Sequence, residues 1–266
     1  MNWQPFLHRA LVLSSCFALF ACQKDTTLSE QSPELSAAAK KADASEKINT
    51  FKGPQVEVGY GKARSWITVN HEGEPQQIGI EMTSAAVLSM EDLYPESGAS
   101  FILPLHQKAQ ALTPFDHLTV DWNPHGHPPA GINTVPHFDF HFYMMPVEER
   151  LAIPFGPSSP VPAGYMPDGW AIDPVNIPQM GAHWSDRTVP PSPLQATMIY
   201  GSYAGKVTFV EPMITLVELT TDQGMNIPYA QPRIYQEHGV WYPTEYSYYR
   251  SGDKYYVVLS DFVWSN

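Results

Sequence analysis

Apolar and polar residues alternate along much of the chain after about residue 51, a period of two that predicts β-strands. The clearest case is Val135–Met145. If this segment is a strand, successive side chains point to opposite faces, so Phe138, Phe140 and Phe142 share one face and His137, Asp139, His141 and Tyr143 the other. Gln55–Tyr60 and Lys62–Asn70 predict an opening hairpin around Gly59–Gly61, and Gln76–Met82 a further strand. Ser100–Gln107 and Phe115–Trp122 read as strands separated by a Thr113-Pro114 break. Ala196–Tyr203 and Lys206–Glu211 predict a hairpin about Ala204-Gly205, with Pro212 ending the pairing and Met213–Thr220 continuing as another strand. Val240–Tyr249 and Lys254–Leu259 predict a last hairpin at Ser251-Gly252-Asp253. Only Ser84–Met90, with Thr83 as its cap, carries a convincing helix signal. The pattern therefore predicts a mainly β protein, an antiparallel β-barrel or sandwich with one short helix.

Residues 146–195 break the alternation. A long, weakly regular segment is usually functional or disordered. This one carries Tyr165, Trp170, Ile172, Met180 and Trp184, which predicts an ordered cover packed over something. The 26 prolines, about double the usual share, fit short strands joined by long Pro-rich loops.

The front of the chain differs. Arg9 precedes the apolar run Ala10–Ala21, too short for a membrane span and typical of a secretory signal peptide. Leu19-Phe20-Ala21-Cys22 resembles the lipobox of bacterial lipoproteins, in which the cysteine is acylated and becomes the mature N-terminus. Leu13-Ser14-Ser15-Cys16 also fits, but it shortens the apolar run, so Cys22 is the expected lipidation site. Gln23 follows it rather than Asp, which implies outer-membrane sorting in a host with two membranes. Residues 1–21 then form the leader. Residues 22–50, rich in Ser, Ala, Lys and Glu, form a flexible polar tether, and 51–266 a single mainly β domain. Of the two cysteines, Cys16 lies in the leader and Cys22 is the expected lipidation site, leaving no thiol for metal binding or nucleophilic catalysis in the domain. The net charge of −12 and the lack of a basic stripe exclude nucleic acid as a partner. The expected partners are the membrane through the anchor, a small-molecule ligand and a second copy of the chain.

Four of the ten histidines, His125, His127, His137 and His141, fall between Trp122 and Met145. Together with His183 and Glu211 they form the candidate ligand set for a divalent transition metal, whether Zn, Fe, Mn, Cu or Ni. Asp139 is expected to orient an imidazole from behind the ligands. Residues i and i+2 on a strand lie about 7 Å apart and i and i+4 about 13 Å apart. His137 and His141 therefore cannot share one ion without a bulge, whereas His137/Asp139 or Asp139/His141 can. Glu211 lines up with Val207 and Phe209, so it is buried and needs a cation, either a metal or Arg187 or Arg233. Glu211 and Tyr143 are the candidate proton-transfer groups.

WNPHGHPP, PHFDFHFYM, MGAHW and FVEPMIT, in that order, resemble a bacterial domain-of-unknown-function family of exported and lipid-anchored proteins. The resemblance covers about residues 56–262 and implies a mostly β exported domain without an assigned reaction. The mixture of His with one Glu is also loosely similar in site type to the cupins. Two functions fit: a metal site acting on a small oxygenated substrate, or a non-catalytic envelope lipoprotein. In the second, the His/Asp cluster is structural and an aromatic surface binds a partner or forms an oligomer. No G-x-S-x-G supports a nucleophilic hydrolase.

Overall fold

The computed structural model describes residues 48–221 and 226–266. The predicted leader, the lipidation site Cys22 and nearly all of the predicted tether lie outside the described residues. The first strand, β1 (Asn49–Lys52), takes Asn49 and Thr50 from the stretch expected to be tether, because it pairs with β3.

The opening hairpin forms as β2 (Val56–Val58) and β3 (Gly61–Val69), followed by β4 (Pro75–Thr83). Thr83 then caps α1 (Ser84–Leu88), its side chain accepting a hydrogen bond from the Ala86 N–H. The short α2 (Met90–Leu93) follows. β5 (Ala99–Pro104) and β6 (His117–Asn123) flank α3 (Gln107–Leu112), and β7 (His137–Tyr143) is followed by α4 (Val147–Leu151). The long cover contains β8 (Gly156–Pro157), β9 (Trp170–Ile172), β10 (Val175–Asn176) and β11 (Ala182–Asp186). β12 (Ala196–Tyr203) and β13 (Lys206–Thr215) form the expected hairpin and lead into α5 (Leu216–Thr220). β14 (Ile227–Pro228), β15 (Trp241–Ser251) and β16 (Lys254–Trp264) complete the chain.

β8 and β10 pair as a small two-stranded sheet, and the other fourteen of the sixteen strands assemble into two seven-stranded antiparallel sheets. One runs β1-β3-β4-β16-β15-β14, with β2 also on β3, and the other β5-β6-β7-β13-β12-β11-β9. Neither sheet closes on itself, so of the two expected architectures the sandwich is the one present. A single core joins them, with Ile67, Ile78, Ile80, Val257 and Leu259 from the first sheet and Leu118, Phe138, Phe140, Phe142 and Val210 from the second. The three phenylalanines of β7 are fully buried, as the alternation predicts, each stabilising the fold by about 1.5–3 kcal/mol through loss of water contact.

Two sequence expectations fail. The described residues hold five short helices, not one. Four of the five span only four or five residues, too few for an amphipathic period to show in sequence. Pro212 also does not end its strand. β13 runs through it to Thr215, with Pro212 opposite Met198 on β12, and Leu216–Thr220 is helical, capped by Thr215. Toward β7 the pairing lapses between Val210↔Phe142 and Met213↔Asp139, then resumes in the same register. A proline has no N–H to donate, and the sheet tolerates the gap because both flanks stay paired.

A candidate metal centre on the outer face of the second sheet

The register of the second sheet decides which polar groups meet. On the face turned away from the core, β6 presents His117, Thr119 and Asp121, β7 presents His137, Asp139, His141 and Tyr143, and β13 presents Phe209, Glu211 and Met213. β11 adds His183, which pairs with Gly201 beyond Phe209. This face is shut off from water by the loop after β6, by Leu194 with Val135 against Ile199 and Met213, and by α4, whose Arg150 guanidinium lies 4.9 Å from the Tyr143 ring centre. His137, His141 and Tyr143 are fully buried, and Glu211 nearly so.

Six side chains form two sets without a shared member, His127–His137–Asp139 and His141–His183–Glu211, with the ligand-type atoms of each set within 4.8 Å of one another. In the first, His127 Nε2 lies 3.4 Å and His137 Nε2 3.1 Å from the two Asp139 oxygens. His137 Nδ1 donates to the Val135 carbonyl at 2.7 Å and His127 Nδ1 to the Pro128 carbonyl at 2.9 Å, so each ring turns Nε2 toward Asp139. The Asn123 amide steadies Asp139 from one side at 2.7 Å. In the second set, Glu211 Oε2 lies 3.4 Å from His141 Nε2 and 3.7 Å from His183 Nε2. His141 Nδ1 donates to Asp121 at 2.9 Å, and the Thr119 hydroxyl donates to the same oxygen at 2.6 Å. A carboxylate behind the ring fixes its tautomer and raises its basicity as a ligand.

Four of these atoms, His137 Nε2, Asp139 Oδ1, His141 Nε2 and Glu211 Oε2, are buried without a well-formed hydrogen bond. Orphaned buried polar atoms are rare and costly. Here they belong to imidazoles and carboxylates aimed at common points, the donor chemistry of a divalent transition metal.

The electrostatics match. Burial disfavours a charged His127, but the Asp139 carboxylate outweighs it and holds the pKa up at about 9. Burial likewise opposes a charged His141, and Glu211 and Asp121 outweigh it, again to about 9. Burial pushes Glu211 up to about 8, against the pull of His141. The His141–Glu211 pair therefore keeps at least one proton at neutral pH. Asp139 goes the other way, since bonds from His127 and His137 overcome its burial and hold it far below the usual carboxylate range. Burial and then the neighbouring His141 charge push His183 down to about 4.

The structure sorts the predicted ligands. His127, His137, His141, His183 and Glu211 come together. His125 does not; it is exposed and faces Glu96 at 3.3 Å. The turn explains this. Gly126 holds φ at +65°, and a Cβ there would lie 1.8 Å from the Asn133 carbonyl oxygen, so only glycine fits. That tight turn separates its two flanking imidazoles. Asp139 does not stand behind an imidazole but lies between His127 and His137, grouped with both as a possible ligand. His183 sits on a paired strand rather than an open loop. Arg187 and Arg233 pair with Asp173 and Asp168, so neither reaches Glu211. Tyr143 is within reach, its ring stacked on His141 at 5.1 Å and on His117 at 4.9 Å. Burial raises its pKa well above the ordinary value, so the hydroxyl keeps its proton and serves as a hydrogen-bond donor.

Sequence reasoning missed Thr119, Asp121, His117 and Arg150. The first three were legible, because His117-Thr119-Asp121 alternates along β6 as His137-Asp139-His141 does along β7. Arg150 carries no such signal. An apolar pocket lined by Phe115, Tyr165, Tyr200 and Tyr229 lies on the core side of the same sheet and contains no ionic group, so it is not this site. No protein-family model, curated protein or solved structure matches this chain, and the chemistry therefore rests on these residues.

Proposed function

We propose that the domain is a metal-binding module of an exported, lipid-anchored protein, in which a divalent transition metal acts on water or a small oxygenated substrate. The observation that carries the reading is the set of buried ligand atoms without a well-formed hydrogen bond on His137, Asp139, His141 and Glu211, paired only with one another. Both sets contain two imidazoles and one carboxylate, a composition used by Zn and non-haem Fe sites. A bound ion supplies Lewis acidity. The chain's own residues orient its ligands through Asp121 and Asn123, exclude bulk water, and hold a proton on Tyr143 beside His141. Of the six side chains only His127 and His183 reach the surface, at 36% and 18% exposure. Entry between them suits a small ligand. Export and the anchor are supported by Arg9, the apolar run and Leu19-Phe20-Ala21-Cys22.

Elemental analysis of protein purified without a His tag tests the reading. The expected result is a stoichiometric transition metal, reduced by His141→Ala and by Glu211→Ala. Less than about a tenth of an equivalent, with uptake unchanged in both variants, leaves the cluster as a structural proton-sharing network instead. Loss of labelled fatty acid in Cys22→Ser tests the anchor.

A further inference from the structure

Resting on that metal reading, we propose that the site takes two ions side by side, one in each set of two histidines and a carboxylate, with a small oxyanion bound beside the ion in the His141 set. The two sets have no residue in common. β7 keeps unbroken register with β6 from His117↔Tyr143 to Asn123↔His137, so no bulge draws the sets together. Among the described residues the six ligand-type atoms gather into these two groups of three and into no larger one. Metal–ligand bonds of about 2.0–2.2 Å let one ion gather the atoms of one group, not all six. A single ion satisfies one set and leaves buried ligand atoms of the other unpaired, which is costly.

Charge supplies the second part. Three buried carboxylates, Asp121, Asp139 and Glu211, and one permanent buried cation, Arg150, face this side of the sheet. They leave two net negative charges, which one divalent ion cancels. A second ion reverses the sign, and an unbalanced charge in a dry interior is prohibitive. The second ion therefore enters with an anion. Donors for that anion stand on the far side of His141 from Asp139: the Tyr143 hydroxyl and the Arg150 Nε, both buried and without a well-formed hydrogen bond. An oxyanion suits them, because guanidinium and phenol both donate to oxygen.

The test is a Co2+ titration of the metal-stripped, tag-free full-length protein, followed by visible absorption, with and without dilute inorganic phosphate. Two equivalents are expected, the second bound about tenfold more tightly with phosphate present. His127→Ala and His183→Ala should each retain one equivalent. These are the two most exposed ligands, so the fold should survive, and the glutamine variants replace alanine if melting curves show otherwise. One equivalent in the wild type, abolished by either substitution, overturns the two-ion centre and leaves a single-metal site standing. No Co2+ uptake by the wild type overturns the metal reading itself. A second equivalent indifferent to phosphate overturns the bound anion.

Discussion

His141 and Glu211 face each other across β7 and β13, Nε2 and Oε2 3.4 Å apart, at the point where Pro212 interrupts the ladder between the strands. A buried base and a buried acid meet where the backbone pairing lapses. Neither is satisfied by the other alone, since His141 Nε2 and Glu211 Oε2 both lack a well-formed hydrogen bond. The flanking pairs Val210↔Phe142 and Met213↔Asp139 hold the strands in register on either side, so the gap is local.

The metal-free protein should be about equally stable between pH 4.5 and 6.5 and should lose stability above pH 6.5. His127 and His141 have folded pKa values raised to about 9. Their contribution is full below the unfolded value of about 6.5 and is lost as pH rises through 9. Glu211, raised to about 8, adds to that loss, because the unfolded carboxyl ionises from about pH 4.5 upward while the folded one must keep its proton. Between pH 4.5 and 6.5 this Glu211 loss is offset by His183, lowered to about 4, whose penalty fades as pH rises to 6.5. Melting curves of metal-stripped protein between pH 5 and 9.5 check this; a midpoint that rises steadily toward pH 9 contradicts it.

Metal uptake should release protons, because an ion displaces those held on His127 and on the His141–Glu211 pair. Calorimetry at pH 7 in two buffers of different ionisation enthalpy should give between about two and three protons per protein at saturation, one from His127 and one or two from the pair. Zero release means the ion binds elsewhere.

Asp121→Asn should weaken metal binding about 10- to 100-fold without changing the ligands, since it only replaces the carboxylate that receives the His141 Nδ1 proton. Competition against a chromogenic chelator reads the change. An affinity equal to wild type shows that Asp121 does not orient His141.

Gly201→Ala should cost about 1–3 kcal/mol by overpacking. A Cβ at this position would sit 2.0 Å from the Phe209 ring, which packs edge-on against His141 with centroids 4.7 Å apart. Displacing that ring therefore also disturbs the second ligand set. Urea unfolding and metal affinity should both shift; an unchanged midpoint means Phe209 has somewhere else to go.

On the other sheet, Glu81 is 6% exposed and takes Lys52 at 3.0 Å, Lys254 at 3.4 Å and Arg64 at 3.6 Å. Burial would raise its pKa, but Lys52 and Lys254 outweigh it and hold it below the ordinary value. Glu81→Gln should cost about 1–3 kcal/mol at neutral pH, with half-exposed lysines keeping it toward the lower end. The stability is present above the unfolded carboxyl pKa and fades as pH falls through the folded one, so mutant and wild type should converge in acid. A difference that persists unchanged at pH 3 excludes the charge as its cause.

Local periodicity alone determined the strands of the two outer hairpins, the Thr83-capped helix, and the two faces of β7. Alternation on a strand is a property of the backbone, so Phe138, Phe140 and Phe142 had to lie opposite His137, Asp139 and His141 wherever β7 came to rest. The same rise per residue separated His137 from His141 before any fold was known, and they do fall in different ligand sets. Tertiary structure decided the rest. The antiparallel register put Glu211 opposite His141 from seventy residues away, and Asp121 behind it, a matter of strand order that no local pattern encodes. The turn at Gly126 chose His127 over His125 through a backbone contact that spacing does not reveal. Asp139 looked like a supporting residue because one strand offers it only its own neighbours. It became a candidate ligand when the loop after β6 folded His127 over it, and that choice belongs to the packing of the whole outer face.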